Sequence, residues 1–119
     1  MTPVDHDPVE RFNVHTVTWS PFPEFGGQQA QLHRSNDGTR MAASFKLSGR
    51  HSWTLEYDDF FYVIAGRATV TVDERETFGV SPGDFCRLRQ GMRVTFDMSD
   101  DFHEVSVLIA DGAFDHTEH

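Results

Sequence analysis

Phe60-Phe61-Tyr62-Val63-Ile64-Ala65-Gly66 is the stretch whose reading decides the fold class. It is the one run apolar enough to compete as a helix. It is short, rich in aromatic and β-branched residues, and stopped by glycine, so it reads as a strand. The segments around it follow the same logic. Residues 28–34 and 41–47 flank Asn36-Asp37-Gly38-Thr39, a hairpin signal, because glycine accepts the positive φ such a turn demands. Residues 52–57 and 67–72 follow, and Asp73-Glu74-Arg75-Glu76 turns the chain into 77–80. Ser81-Pro82-Gly83-Asp84 turns it again into 85–88, and 92–98 and 103–110 complete the set. No window carries a convincing stripe of period 3.6. Many short strands at regular spacing indicate an all-β barrel or sandwich.

The chain has 119 residues, the length of one domain. Its 38% hydrophobic and 24% charged content is that of a globular protein. Ten Lys and Arg against nineteen Asp and Glu leave a formal charge of −9, which disfavours nucleic acid and anionic membrane surfaces as partners. Cys86 is the only cysteine, so no intrachain disulfide forms, and a reducing compartment is the simple reading. The opening residues carry acids and prolines where a secretion signal needs a basic start and an apolar run. No segment approaches the roughly 18 apolar residues of a membrane helix. The expectation is a cytoplasmic protein. Four of the five prolines (Pro3, Pro8, Pro21 and Pro23) fall early, so residues 1–25 are expected to be an extended arm. The barrel is expected over 26–110, with an acidic tail over 111–119.

Asp59 through Gly66, then Ser81-Pro82-Gly83-Asp84, then Arg89-Gln90-Gly91 resemble the two motifs of the cupin superfamily. Gly66 stands seven residues after Asp59, the interval between the acid and the glycine of the first motif. Gly83 and Gly91 keep the spacing of the second, with Arg89 where proline is usual. Trp53-Thr54-Leu55-Glu56-Tyr57-Asp58-Asp59 is similar to the branch holding ethanolamine-utilisation Q-type proteins and ureidoglycine aminohydrolases. The resemblance implies a single-domain cupin: a double-stranded β-helix or jelly-roll barrel with the site at its mouth, often a homodimer. Cupin metal sites use histidines and a carboxylate. Here the corresponding positions hold Trp53, Leu55 and Val94, and only Asp59 keeps its type. The inherited metal site is therefore expected to be absent, and no cofactor is expected.

Alternation along the strands makes Trp53, Leu55, Phe61, Val94 and Phe96 candidates for the apolar walls of a small-molecule pocket. Asp59 is the leading candidate for acid–base work, because a carboxylate in an apolar barrel is shifted towards neutral pH. Its bland reading is a structural carboxylate that pairs with an arginine or caps a turn. Tyr57 reads either as a donor to a substrate oxygen or as a core aromatic with a wet hydroxyl. His51 and His103 are candidate proton carriers or idle surface histidines. Arg87 either faces inward to recognise a carboxylate or phosphate, or balances an acidic outer surface. Cys86 reads as a small buried hydrophobe.

These readings lead first to a metal-independent enzyme acting on a small molecule. Isomerisation, dehydration or cyclisation of a biosynthetic intermediate would suit it, with catalytic Asp59, Tyr57, His51 and His103. A ligand-binding or scaffolding cupin without turnover is the alternative. A divalent-metal enzyme with a rebuilt ligand set, such as His51, Asp59 and His103, is a third.

Overall fold

Side-chain alternation and two long, bent strands account for most of the architecture. The structure is a computed structural model that describes residues 9–113. Its strands are β1 (Ser20–Phe22), β2 (Gly27–Arg34), β3 (Arg40–Thr54), β4 (Asp58–Ala65), β5 (Ala68–Val72), β6 (Glu76–Val80), β7 (Phe85–Leu88) and β8 (Arg93–Ile109), with a short 3₁₀ turn at Pro23–Phe25. All the pairings are antiparallel. One face of the barrel runs β1-β2-β3-β8-β4-β7. The other is formed where β3 and β8 continue past a bend and β8 takes β5 as its neighbour, with β6 beyond. The two faces enclose a core that includes Phe45, Leu47, Phe61, Val63, Val70, Val94, Phe96 and Phe102.

Residues 41–47 and 52–57 were expected as separate strands, as were 92–98 and 103–110. The structure joins the first pair into the 15-residue β3, which ends at Thr54, and the second into the 17-residue β8. Ser48-Gly49 and Ser99-Asp100-Asp101 have the composition of turns, but they form an irregularity within one continuous ladder. Leu47 pairs with Phe102, and Gly49 pairs with Met98, so one residue on β3 faces three on β8. Extra residues of this kind bend a strand and increase its twist. Because the slip is two residues, the side-chain phase survives the bend: Val94, Phe96, Met98, Phe102, Glu104, Ser106 and Leu108 are all buried.

The barrel also draws in part of the expected arm. Pairing begins at Ser20, and Phe22 is buried in the core. Upstream, Asn13 starts a turn that receives the amides of Thr16 and Val17. Trp19 then lies against the outer surface, with Lys46 Nζ 4.6 Å from its ring centroid. The first part of the arm and most of the expected tail lie outside the described residues.

Gly66 ends β4 for a steric reason. Its φ is +76°, and a Cβ there would lie 2.6 Å from both the Cα and the amide nitrogen of Phe102. Gly66→Ala is expected to destabilise the fold by at least about 2 kcal/mol, since left-handed backbone and a backbone clash act together. The β5–β6 turn carries the opposite case. Asp73 and Glu74 have φ of 53° and 56°, the conformation of a type I′ turn, without a glycine. Asp73 has a compensating role, because its Oδ1 accepts the Arg93 amide at 2.9 Å. Glu74→Gly is expected to stabilise by about 0.5–1 kcal/mol. Urea midpoints of the two variants against the parent chain check both expectations.

Candidate active site

Between the bent sheets and the 3₁₀ turn lies a cavity of about 210 Å³. Trp53, Thr54, Glu56, Tyr57 and Asp59 reach it from the β3–β4 corner, and Phe45 and Leu47 from the middle of β3. Phe96 and Glu104 come from the two halves of β8, and Phe22, Glu24 and Phe25 close it from the N-terminal side. The walls are aromatic. Trp53 stacks on Phe96 with centroids 5.3 Å apart, and Phe25 meets Trp53 edge-on at 4.9 Å.

Two carboxyl groups face this space. Asp59 opens the inward phase of β4, and Glu104 occupies an inward position of β8 between Phe45 of β3 and Val63 of β4. Both are about 6% exposed, and neither Asp59 Oδ1 nor Glu104 Oε1 has a hydrogen-bond partner among the described residues. Burial raises the Asp59 carboxyl to about 7; the neighbouring Ser106 hydroxyl opposes the rise, although its Oγ lies outside good hydrogen-bonding geometry. Glu104 is raised well above the usual carboxylate range, first by burial and then by the charge of Asp59. Burial and mutual repulsion both favour the protonated form of these acids. Tyr57 is also raised, by burial and then by Asp59, against an opposing contact from the Trp53 indole. An indole N–H only donates, so the Tyr57 oxygen accepts, and its own O–H stays protonated.

The other expected site residues divide by strand face. Leu55, Phe61 and Val94 are at most 1% exposed and fill the core beneath the cavity instead of lining it. Leu55 is pinned there because its amide donates to the Met92 carbonyl and its own carbonyl accepts from Gly91. His51 is not among the lining residues; its Nε2 donates to the Ser48 carbonyl at 2.8 Å, and its ring packs against Phe25. His103 lies on the outer face, one residue out of phase with Glu104. Ser44 Oγ donates to the Glu104 carbonyl, so His103 Nε2, at 3.0 Å, donates to Ser44 Oγ. Trp19 and His15 meet the His103 ring edge-on, and burial, Lys46 and His15 together lower its pKa. Arg87 likewise faces outward, 3.6 Å from Asp58 and over the Phe60 ring, and not into the cavity. Cys86 is half-buried against the core, its thiol pushed up to about 11 chiefly by burial.

Glu104 is the residue that sequence reasoning missed. The signal was available in the parity of Val94 and Phe96, which leads to Glu104 once β8 is continuous. The metal set that cupins use does not fit here: Trp53, Leu55 and Val94 offer no ligand atom. His51, Asp59 and His103 do not converge, since His103 is on the opposite face of β8. No group of three or more His, Cys, Asp or Glu able to hold a metal ion occurs among the described residues.

The buried acids carry a pH signature. Their folded-state pKa values exceed the unfolded ones, so the associated stability is fully present below about pH 4 and falls as pH rises, the Asp59 part being lost through about 7 and the Glu104 part in the same direction. Between pH 4.5 and 8 the chain is expected to lose on the order of 2–4 kcal/mol relative to the Asp59→Asn, Glu104→Gln double variant. Denaturant titrations of both proteins across that range measure the difference.

Comparison with known proteins agrees with this architecture. No curated protein sequence matches the chain at a significant level. Among solved structures, the cupin domain of Schizosaccharomyces pombe Cnp3 superposes with a TM-score of 0.71 at 12% identity, covering 85% of this chain and 74% of its own. The polyketide cyclase RemF from Streptomyces resistomycificus gives 0.67 at 17% identity, covering 93% and 89%. The EutQ protein of Clostridium difficile gives 0.58 at 19% identity, covering 71% and 69%. At such identities the likeness is one of fold. No helix among the described residues is long and apolar enough to cross a membrane. The EutQ-like cupin domain family matches residues 36–104, more than half of the sequence, and the chain belongs to that family.

Proposed function

We propose that this cupin is a small-molecule enzyme of the acid–base type, an isomerase, dehydratase or cyclase, in which Asp59 and Glu104 hold and move a proton at the wall of the aromatic cavity. The observation that carries the reading is the pair of buried carboxyls, each with an oxygen lacking a partner among the described residues and both lining one cavity. Buried acids without partners cost stability, and such groups cluster where proton transfer needs them. A pair sharing one proton supplies both roles. The carboxylate takes a proton from an activated carbon or hydroxyl of the substrate, and the carboxylic acid returns one to a second atom. In an isomerisation the net change is a rearrangement with no proton gained or lost; in a dehydration the returned proton goes to the departing hydroxyl, which leaves as water. Tyr57, kept protonated, is placed to donate to the substrate oxygen on which charge develops.

The cavity limits what fits. At about 210 Å³ it is smaller than the roughly 300–1,000 Å³ of ordinary ligand pockets, which favours a small substrate or one ring of a larger one. The stacked faces of Trp53 and Phe96 suit a flat molecule and hold it in register with the acids. One fold neighbour is named as a polyketide cyclase, which supports the cyclase reading by analogy of fold alone.

The test is hydrogen–deuterium exchange of small enolisable aryl ketones in D₂O, followed by proton NMR. The parent chain is expected to accelerate exchange, and Asp59→Asn to lower the rate by about 10²–10⁴-fold. Glu104→Gln is expected to lower it as well and to move the pH profile, since removing one acid returns the other towards its ordinary range. Equal rates for the parent and Asp59→Asn, or ligand binding with no exchange, would leave a binding cupin in place of an enzyme.

A further inference from the structure

The chemical make-up of the cavity says something about its occupant that the proton-transfer reading does not require. Half of the twelve residues that line the cavity are aromatic, and four are acids: Glu24, Glu56, Asp59 and Glu104. No lysine, arginine or histidine is among them. Of the basic side chains near the cavity in sequence or register, Arg50 lies by Asp97, Arg87 by Asp58 and Lys46 over Trp19, while Arg93, opposite Thr54, is exposed and outside the lining. An anionic ligand would meet like charge at the rim and the negative faces of aromatic rings inside. A neutral ligand would stack on the rings but gain no charge attraction from the acids.

We propose that the substrate of this site carries a cationic nitrogen: the cavity takes a small protonated primary or secondary amine, seated in the corner of Trp53, Phe96 and Phe25 and hydrogen-bonded to Asp59 and Glu104. The inference rests on the cavity being the substrate site, as proposed above. Three features fit it together. An ammonium has donors and no acceptor, and Asp59 and Glu104 bring carboxyl acceptors into the cavity lining, each with one oxygen unpartnered among the described residues. Trp53 and Phe96 lie nearly parallel at 25°, and Phe25 stands at 68° to Trp53, so the rings form two walls of an aromatic corner. A cation against such faces gains about 0.5–2 kcal/mol. Glu24 and Glu56 are exposed at the rim, where their charge draws cations from solution. The requirement for N–H donors also selects within the class, because a quaternary ammonium satisfies the rings but leaves the carboxylate oxygens unbonded.

Calorimetric titration of the whole chain with three aryl probes of similar size, benzylamine, benzyl alcohol and benzoate, tests the inference at neutral pH. Benzylammonium is expected to bind at least tenfold more tightly than benzyl alcohol, and benzoate more weakly than either. The Asp59→Asn, Glu104→Gln double variant is expected to bring the amine-to-alcohol ratio close to one while keeping the affinity for the alcohol. Should that variant fail to fold, the isosteric Glu104→Gln alone carries the comparison, with the ratio reduced at least threefold. Binding of the alcohol or the benzoate as tight as that of the amine overturns the proposal, as does an amine preference that survives loss of the acids. The exchange assay uses neutral ketones, so it reads the acid–base function separately. Exchange without amine preference removes only this inference, and amine preference without exchange removes only the enzymatic reading.

Discussion

The bent pairing of β3 with β8 is the constraint on which the site depends. These two strands pass through both sheets of the barrel, and all the strands except β1, β6 and β7 pair directly with one of them. Where they bend, three residues of β8 stand against one of β3. An odd slip would turn the second half of β8 inside out, exposing Phe102 and Leu108 and burying Val107, which is 44% exposed. The even slip keeps one apolar phase along both halves. It also commits Glu104 to the interior, because its neighbours in phase are large apolar residues whose burial outweighs the cost of one protonated acid.

Placing Asp59 and Glu104 in one dry space has opposite consequences for stability and for chemistry. Each acid loses hydration, and each makes ionisation of the other harder, so the interior is most stable with both protonated. The same penalty brings a carboxyl into the range where it exchanges protons readily at neutral pH. Strain of this kind persists only where the surrounding structure holds it, and here a continuous ladder on both sides of β8 does so. The aromatic lining adds a second effect. The ring faces that line the cavity carry negative charge density of their own, which adds to that of the acids.

The strand pattern was readable because its signals are local. The Asn36-Asp37-Gly38 turn, the glycine that ends β4 and the Ser81-Pro82-Gly83-Asp84 turn each carry their geometry in a few adjacent residues, and the family motif of Asp59 and Gly66 lies in one of those stretches. Asp59, Trp53 and Phe96 line the cavity for the same reason, since a strand of known phase fixes its own inward side, whereas Tyr57 reaches it from the bend between β3 and β4. The errors came where a local signal has two meanings. Ser48-Gly49 and Ser99-Asp100-Asp101 look like turns in isolation, and only the partner strand makes them a bend. That break hid Glu104 and turned attention to His103, whose imidazole is instead covered by Trp19 and His15 on the outer face.

Composition, turn chemistry and alternation thus determined an all-β chain with an apolar interior, and the resemblance of its motifs identified a cupin that keeps the acid Asp59. Tertiary structure decided which acid stands beside Asp59, that Leu55, Phe61 and Val94 lie beneath the cavity, and that Phe22, Glu24 and Phe25 close it. The division has a physical cause. Alternation is a property of one strand and its nearest residues, whereas the company a buried carboxyl keeps depends on register between strands far apart in the chain, and register is set only when the whole sheet pairs.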